Sequence, residues 1–277
     1  MNLFYIPFVN EKKSVEATYL REIEKNVKEN KADVNIFDFF KINIITFIIP
    51  FYVCLGIFLG LEYLILDFIN IPIHIHFVLL PALFLLLFYL YMIILIELST
   101  LWVKRWNKNS PPKEGIFARN LDENTPEGKM LKHYHKRGFI IKFPVWLTKK
   151  SPFPWLVNRA LRRIGGNVIE DNVINCDNFV GLEFTKLEEN SFMYPTSAIS
   201  SHAVNSIFGK ISILEINIGK NTTLYPNTIV GPGAITQDGF VIYPNTVLHK
   251  NWRGVGSIKY YQGSPGKPIE NTNKKVN

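Results

Sequence analysis

Residues 216–250 read INIGKNTTLYPNTIVGPGAITQDGFVIYPNTVLHK, and this stretch decides the fold. An aliphatic side chain recurs every six residues along it, with one threonine in the series. The recurring positions are Ile218, Leu224, Val230, Thr236, Ile242 and Leu248. A period of six fits neither an α-helix, which repeats every 3.6 residues, nor a single strand, which alternates every two.

A second column and the turn residues between the columns complete the repeat. The second column follows the first by four residues and is mostly small: Thr222, Thr228, Ala234, Phe240 and Thr246. Gly, Pro and Asn fill the gaps, and the same register appears earlier at Leu187, Met193 and Ile199. Stacked repeats of a short strand and a turn bury one aliphatic each in a shared core. The sequence therefore predicts a mainly β fold, a parallel β-helix over 164–277, rather than a sandwich with accidental spacing.

Composition excludes several other classes. The chain has 277 residues, of which 47% are hydrophobic, so it is too apolar to be disordered. Its two cysteines, Cys54 and Cys176, exclude a disulfide scaffold and a cysteine-rich zinc framework. The sequence pI is about 9.3, and the length allows about two structural units.

Two long apolar runs precede the repeat. Residues 42–103 contain no Lys or Arg, and the runs 42–61 and 77–96 contain no charged residue at all. Each run is about as long as a helix that crosses a hydrocarbon core of roughly 30 Å. Two buried helices of a large soluble core are the alternative, but the remaining chain is too short to cover them. We therefore predict a transmembrane helical hairpin over 42–103.

The flanking charges predict the orientation of the hairpin. Lys and Arg are abundant in 1–41 and after 103, and the turn between the runs has none. The positive-inside rule then places both termini and the β-helix in the cytoplasm, with the chain integral to the cell membrane. Within 1–41, apolar residues recur every four positions over 14–31, which predicts a short amphipathic helix at the membrane surface.

A basic, aromatic connector spans 104–163. Its part from 129 to 163 holds ten Lys and Arg, with interleaved aromatic residues and no Asp or Glu. Such a segment fits a surface held against anionic membrane lipids, and a solvated basic face is the alternative. No nucleic-acid-binding motif accompanies the patch, so we expect no nucleic acid.

The repeat resembles the hexapeptide-repeat (left-handed β-helix) acyltransferases. Members typically finish with a G-x-P-A-[KR]-x-[IV] turn, and residues 262–269 read QGSPGKPI, which departs only by Gly for Ala. The segment RGFIIKFPVWLTKKSPFPWLVNRALRRIGG, residues 137–166, is similar to the membrane-associated type that resembles the C-terminal domain of polylysine-synthase-like peptide synthetases.

The resemblance implies a homotrimer with an acyl-CoA or another acyl-thioester bound between subunits. It also implies a histidine general base on a loop that interrupts the coil before the regular repeats, and His202 has that position. A lone histidine in a serine-rich loop is otherwise more often an ordinary hydrogen-bonded residue. Glu188 and Glu215 are candidate orienting carboxylates only through folding, and we expect the His202 side chain to contribute little to the core.

The same resemblance points to a binding site for the acyl donor. The candidate donor-binding residues are Gly231, Gly233, Ala234, Arg253, Gly263, Ser264, Gly266 and Lys267. A terminal turn that merely caps the coil is an equal alternative for the glycines. No metal is expected, because a γ-class carbonic anhydrase needs three histidines and 164–277 contains only His202 and His249.

Two functions follow from the sequence. The first is a membrane-anchored acyltransferase that moves an acyl or aminoacyl group from a thioester to a hydroxyl or amine of a small-molecule, lipid or peptide acceptor. The second is a non-catalytic trimeric β-helix scaffold at the membrane surface. His202 and the GSPGKPI turn favour the enzyme, and the lack of an evident carboxylate partner favours the scaffold.

Overall fold

Two long helices open the part of the chain that the computed structural model describes, which is residues 36–119, 122, 124–205 and 209–269. Helix α1 runs over Ile36–Phe68 and includes two π-helical turns, Ile44–Ile48 and Leu64–Phe68. Helix α2 runs over Ile73–Asn109. The amphipathic helix predicted over 14–31 lies outside the described residues.

The two helices pack against each other as a hairpin. Phe58 of α1 stacks on Phe84 of α2, with ring centroids 5.5 Å apart. Near the turn, Glu62 Oε2 lies 3.1 Å from His76 Nε2. Both helices are long and apolar enough to cross a membrane, and only 22% of the most apolar stretch of each is buried within the chain.

The described part of the connector contains one strand and three helices after the end of α2. They are β1 (Gly115–Ala118), α3 (Pro126–Ile140), α4 (Lys142–Lys150) and α5 (Trp155–Arg163). Helix α5 turns Leu156, Ala160 and Leu161 into the core. On its other side, Arg159 and Arg163 both pair with Glu97 of α2. These exposed pairs contribute little free energy of folding, but they fix the position of α5 on the hairpin.

Short strands follow α5 in a regular series. They are β2 (Val168–Ile169), β3 (Ile174–Asn175), β4 (Phe179–Val180), β5 (Thr185–Leu187), β6 (Phe192–Met193), β7 (Ala198–Ile199), β8 (His202–Asn205), β9 (Lys210–Ile213), β10 (Ile216–Ile218), β11 (Thr223–Leu224), β12 (Ile229–Val230), β13 (Val241–Ile242), β14 (Val247–Leu248), β15 (Tyr260–Gln262) and β16 (Lys267–Pro268).

Parallel pairing confirms that the chain coils. The sheets contain β2, β5 and β10; then β3, β6, β11, β13 and β15; then β4, β7, β12 and β14. Thr223 pairs with Val241 and Ile229 pairs with Val247, so each partner lies 18 residues further along. One turn of the coil therefore comprises three six-residue sides. Its left-handedness stays a prediction.

The two predicted columns form the interior of the coil. Leu187, Met193, Ile199, Leu224 and Ile242 are all fully buried. At the corners, one residue in six adopts a positive φ between 54° and 78°. These corner residues are Asn221, Asn227, Gly233, Gly239, Asn245 and Asn251. Asn and Gly tolerate this left-handed conformation better than other residues, which explains why they recur there.

One turn of the coil is longer than the others. Met193 pairs with Leu224, which lies 31 residues later instead of 18. Most of the extra chain forms an antiparallel hairpin of β8 and β9, and β9 pairs in turn with β1 of the connector. The predicted interruption of the repeat is thus a hairpin fastened to the connector.

Two isoleucine truncations test the assignment of the interior. Ile242 is fully buried, whereas Ile174 in the same sheet is 47% exposed. We expect Ile242→Ala to lower the free energy of unfolding by about 2–5 kcal/mol because it leaves a cavity. Ile174→Ala should change it by only about 0.5 kcal/mol. Denaturant unfolding of the full chain in detergent measures both, and equal losses would contradict this core.

Candidate functional site

His202 is the first residue of β8 and lies where the β8–β9 hairpin leaves the coil. Its ring lies against Tyr134 of α3, with centroids 4.9 Å apart. His202 lies in the predicted interruption of the coil, but it begins a strand there and its ring contacts α3. The imidazole fills part of the junction between the connector and the coil.

The hydrogen bonds of Ser201 set the tautomer of His202. Ser201 Oγ lies 2.8 Å from the carbonyl oxygens of Leu182 and Glu183, and 3.0 Å from His202 Nδ1. Carbonyl oxygens only accept, so the single serine proton is donated to them. Nδ1–H must then donate to Ser201 Oγ, which leaves the lone pair on Nε2. That atom is buried and has no hydrogen-bond partner among the described residues.

The charge state of His202 follows from its surroundings. Burial, and then the positive charge of Arg137, lower the pKa of His202 to about 4. Arg137 itself forms a buried ion pair with Glu183, and it donates to the carbonyl oxygen of Ser110 at 3.2 Å. His202 is therefore a neutral imidazole at pH 7. In the described part of the chain, no carboxylate hydrogen-bonds to it, and Glu188 instead binds Lys186 and Asn217.

His202 lines a cavity of about 450 Å³ between the connector helices and the coil. Most of the wall is apolar and comes from α3, α4, β4 and β8. The apolar lining consists of Ile141, Val145, Trp146, Phe179, Val180, Leu182 and Val204. One glycine of α3, Gly138, also lines the cavity and leaves room for a side chain.

The cavity also has charged residues. Lys142, Lys149 and Asp177 line it. Asp177 Oδ2 accepts a hydrogen bond from Lys150 at 2.7 Å, and this bond lowers the pKa of Asp177. Lys149 donates to the carbonyl oxygen of Asn178, and burial lowers the pKa of Lys149. Lys150 therefore balances the negative charge of Asp177, and the cavity is lined by more positive than negative side chains.

The predicted terminal turn closes the last side of the coil. Gly266 N donates to the carbonyl oxygen of Val247 at 2.8 Å, and Val247 N donates to that of Gly263 at 2.9 Å. A Cβ on Gly266 would lie 2.7 Å from Leu248 Cδ2, so a larger residue there would require the buried Leu248 side chain to shift. Ser264 and Lys267 are exposed beside it. The capping role of the turn is visible, and its role in donor binding stays a prediction.

The other candidate donor residues lie around one corner of the coil. Gly233 has φ +78°, and the guanidinium of Arg253 donates to its carbonyl oxygen. Ala234 is fully buried, so its methyl group points into the interior. Gly231 lies so close to the next turn that a Cβ would be 3.1 Å from Lys250 N. This hydrogen bond from Arg253 stabilises the corner, and the Arg253 side chain remains exposed to solvent.

The terminal turn and the cavity are not adjacent within one chain, whereas the corner at Gly231 is close to His202, because Ser200 N donates to the carbonyl oxygen of Val230 at 3.0 Å. The cavity is built on β4, and the terminal turn lies beside β14, three strand positions away in the same sheet. At strand spacings of 4.7–4.9 Å, three positions correspond to about 14 Å. The described residues contain no group of three or more His, Cys, Asp or Glu arranged to hold a metal.

Sequence reasoning missed the partners of His202. Tyr134 and Arg137 are more than sixty residues away in sequence, and the pairing of β1 with β9 and the Arg137–Glu183 ion pair bring the connector to this part of the coil. The sequence around Glu183 gives no indication that its carboxylate pairs with Arg137. Ser201 was next to His202 in sequence, but its two carbonyl acceptors depend on the coil.

No protein-family model and no curated protein matches the sequence, but several solved structures resemble the chain. A maltose O-acetyltransferase from Clostridium difficile 630 has 19% identity and a TM-score of 0.38, with 50% of this chain and 87% of that chain covered.

A galactoside acetyltransferase in complex with coenzyme A has 15% identity and a TM-score of 0.39, over 50% of this chain and 82% of that chain. A hexapeptide-repeat acetyltransferase from Vibrio cholerae O1 biovar eltor, complexed with acetyl coenzyme A, has 11% identity and a TM-score of 0.37, over 54% and 91%. At these values the likeness assigns neither a family nor an activity to this chain.

The buried, neutral state of His202 predicts a pH dependence of stability. Its pKa is about 4 in the folded chain and about 6.5 in an unfolded chain. As the pH falls from about 6.5 towards 4, the unfolded state binds a proton first, so the native state loses stability.

We expect the wild type to lose about 2 kcal/mol more than His202→Gln between pH 7 and pH 5. Thermal unfolding of both proteins in the same detergent, at several pH values, measures the difference. Equal losses would show that His202 titrates normally in the folded chain.

Proposed function

We propose that this protein is a membrane-anchored acyltransferase, which uses acyl-CoA or another acyl-thioester and modifies a hydroxyl or amine. The observation that carries the proposal is the unprotonated Nε2 of His202, which has no partner among the described residues, in a junction that also holds a cavity of about 450 Å³. A buried nitrogen without a partner costs free energy of folding, and a substrate proton donor satisfies it.

The chemistry needs one proton acceptor at this atom. The acceptor oxygen or nitrogen attacks the thioester carbonyl carbon, and its proton passes to His202 Nε2. The carbon–sulfur bond then breaks, and the leaving thiolate takes the proton back. Because the pKa of His202 is about 4, the proton moves late, when the attacking atom already carries positive charge and is acidic. Ser201 holds the ring in the required tautomer.

A homotrimer is part of the proposal. The outward-facing residues of the sheet β4–β7–β12–β14 are apolar, and Phe179 and Ile229 are 58% and 50% exposed. Such a face is suited to packing against a second subunit. A neighbouring subunit then brings its terminal turn, with Lys267 and Arg253 as partners for the donor phosphates, towards the cavity. The coil is left-handed in this proposal, as in the polylysine-synthase-like membrane type.

The hairpin of α1 and α2 serves as the membrane anchor. Its exposed apolar surface matches a hydrocarbon environment better than water. The ends of the hairpin next to the connector carry Lys41, Lys104 and Arg105, which supports a cytoplasmic position for the coil. The turn at Asn70 then lies outside.

Loss of the imidazole tests the catalytic role. We expect His202→Gln to lower acyl transfer about 10²- to 10⁴-fold, because a positioned base typically supplies that factor. Binding of the thioester donor should persist, because the proposed donor site does not use the ring. The measurement pairs single-turnover transfer with isothermal titration of CoA, and the control is His249→Gln, an exposed histidine outside the cavity.

Two results would overturn this role. Retention of more than about a tenth of the wild-type rate would show that His202 is not the base. Failure of the wild type to bind any acyl-thioester would favour the non-catalytic scaffold.

Cysteine labelling tests the anchor and its orientation. In a chain with Cys54→Ala and Cys176→Ser, we expect Asn70→Cys to react with an impermeant maleimide in intact cells. Lys108→Cys, exposed at the other end of the hairpin, should react only after the membrane is opened. The reverse pattern would place the coil outside the cell, and labelling of both sites would argue against a spanning hairpin.

A further inference from the structure

Three aromatic side chains in successive contact connect the α1–α2 hairpin to the cavity. Phe47 of α1 meets Phe143 of α4 edge to face, with ring centroids 5.4 Å apart. Phe143 in turn stacks on Trp146 at 6.1 Å, and Trp146 lines the cavity while 57% of its surface stays exposed. Phe47 belongs to the first apolar run, so an apolar path leads from the membrane-facing helix to the cavity wall.

The cavity combines this apolar wall with cations. Trp146, Phe179 and Val204 offer hydrocarbon contacts, whereas Lys142 and Lys149 place positive charge at the same cavity. Lys150 binds the carboxylate of Asp177, which also attracts Lys149, so the four side chains together carry an excess of positive charge. An apolar body with an anionic, hydroxyl-bearing end is the chemistry that this lining matches, and a small polar acceptor would leave the apolar wall unused.

We infer that the cavity binds an anionic membrane phospholipid, and that a free hydroxyl of the lipid headgroup is the acyl acceptor. This inference rests on the proposed acyl transfer and names its substrate class. The acyl chains lie along the path from Phe47 to Trp146, and the phosphate lies near the two lysines. The hydroxyl then gives its proton to His202 Nε2 as its oxygen bonds to the thioester carbonyl carbon, which releases the thiol.

Gly138 provides a selective way to fill the cavity. The nearest heavy atom to a Cβ built there is Leu182 Cδ1 at 3.9 Å, so the first carbon of a side chain meets only ordinary van der Waals contact beside the cavity. Gly138→Phe fills the space, and Gly138→Ala is the matched control that adds only a methyl group. Alanine is also the better helix former, so the control should fold at least as well as the wild type.

The experiment uses the full chain in nanodiscs of phosphatidylcholine with added phosphatidylglycerol, which is anionic and carries free headgroup hydroxyls. Native mass spectrometry measures which lipids stay bound, and lipid mass spectrometry measures acyl transfer from acyl-CoA. Free glycerol phosphate in a parallel reaction tests the headgroup without the acyl chains. A thermal unfolding scan of each variant verifies that it is folded.

We expect the wild type to retain phosphatidylglycerol about twenty-five-fold over phosphatidylcholine, because each of two lysines contributes about fivefold. Gly138→Ala, which adds only a methyl group, should keep more of this preference than Gly138→Phe. Gly138→Phe should lose this preference and at least about nine-tenths of the transfer. Lys142→Gln should lower the preference about fivefold, whereas Lys108→Gln, a cation outside the cavity, should not.

The lipid-retention measurement tests the lipid site, and the acyl-transfer measurement tests the reaction separately. Equal retention in the wild type and a folded Gly138→Phe, or transfer to glycerol phosphate as fast as to the lipid, would overturn the lipid acceptor while the transferase stands. Selective retention without transfer to any acceptor would overturn both the transferase and the acceptor role of the lipid.

Discussion

Burial of one apolar side chain in every six residues is the constraint on which the rest of the structure depends. It sets a turn of 18 residues, aligns the parallel strands and leaves left-handed corners that Asn and Gly occupy. Extra residues within a side would move every later column out of the core. The chain therefore accommodates its long insertion at a corner, where the β8–β9 hairpin leaves the coil and returns to it.

The insertion links the coil to the connector. β9 pairs with β1, and the buried Arg137–Glu183 ion pair joins α3 to the coil directly beside Ser201. Removal of one partner of such a pair is costly, about 3–5 kcal/mol, because the other charge stays buried. Glu97 then fastens α5 to the hairpin. His202 is held at this junction, so coil, connector and helices together define its surroundings.

Much of the fold follows from the sequence, and little of the site does. The column from Ile218 to Leu248 and the uncharged runs over 42–61 and 77–96 are local patterns, and each predicts its element. The neutral state of His202 depends on burial against Tyr134 and on Arg137, both of which lie more than sixty residues away in sequence. The register of β1 on β9 has no periodic signal, so the cavity and its lysines were not predictable.

The central claim is that His202 Nε2 receives the proton of a lipid hydroxyl at the membrane surface. A cryo-electron microscopy structure of the full chain in a phosphatidylglycerol nanodisc, with an unreactive thioether analogue of acyl-CoA, tests it most directly. The account predicts a headgroup oxygen about 2.6–3.2 Å from Nε2 and next to the acyl carbon of the analogue. An analogue bound with its acyl carbon away from an unfilled cavity would contradict the account.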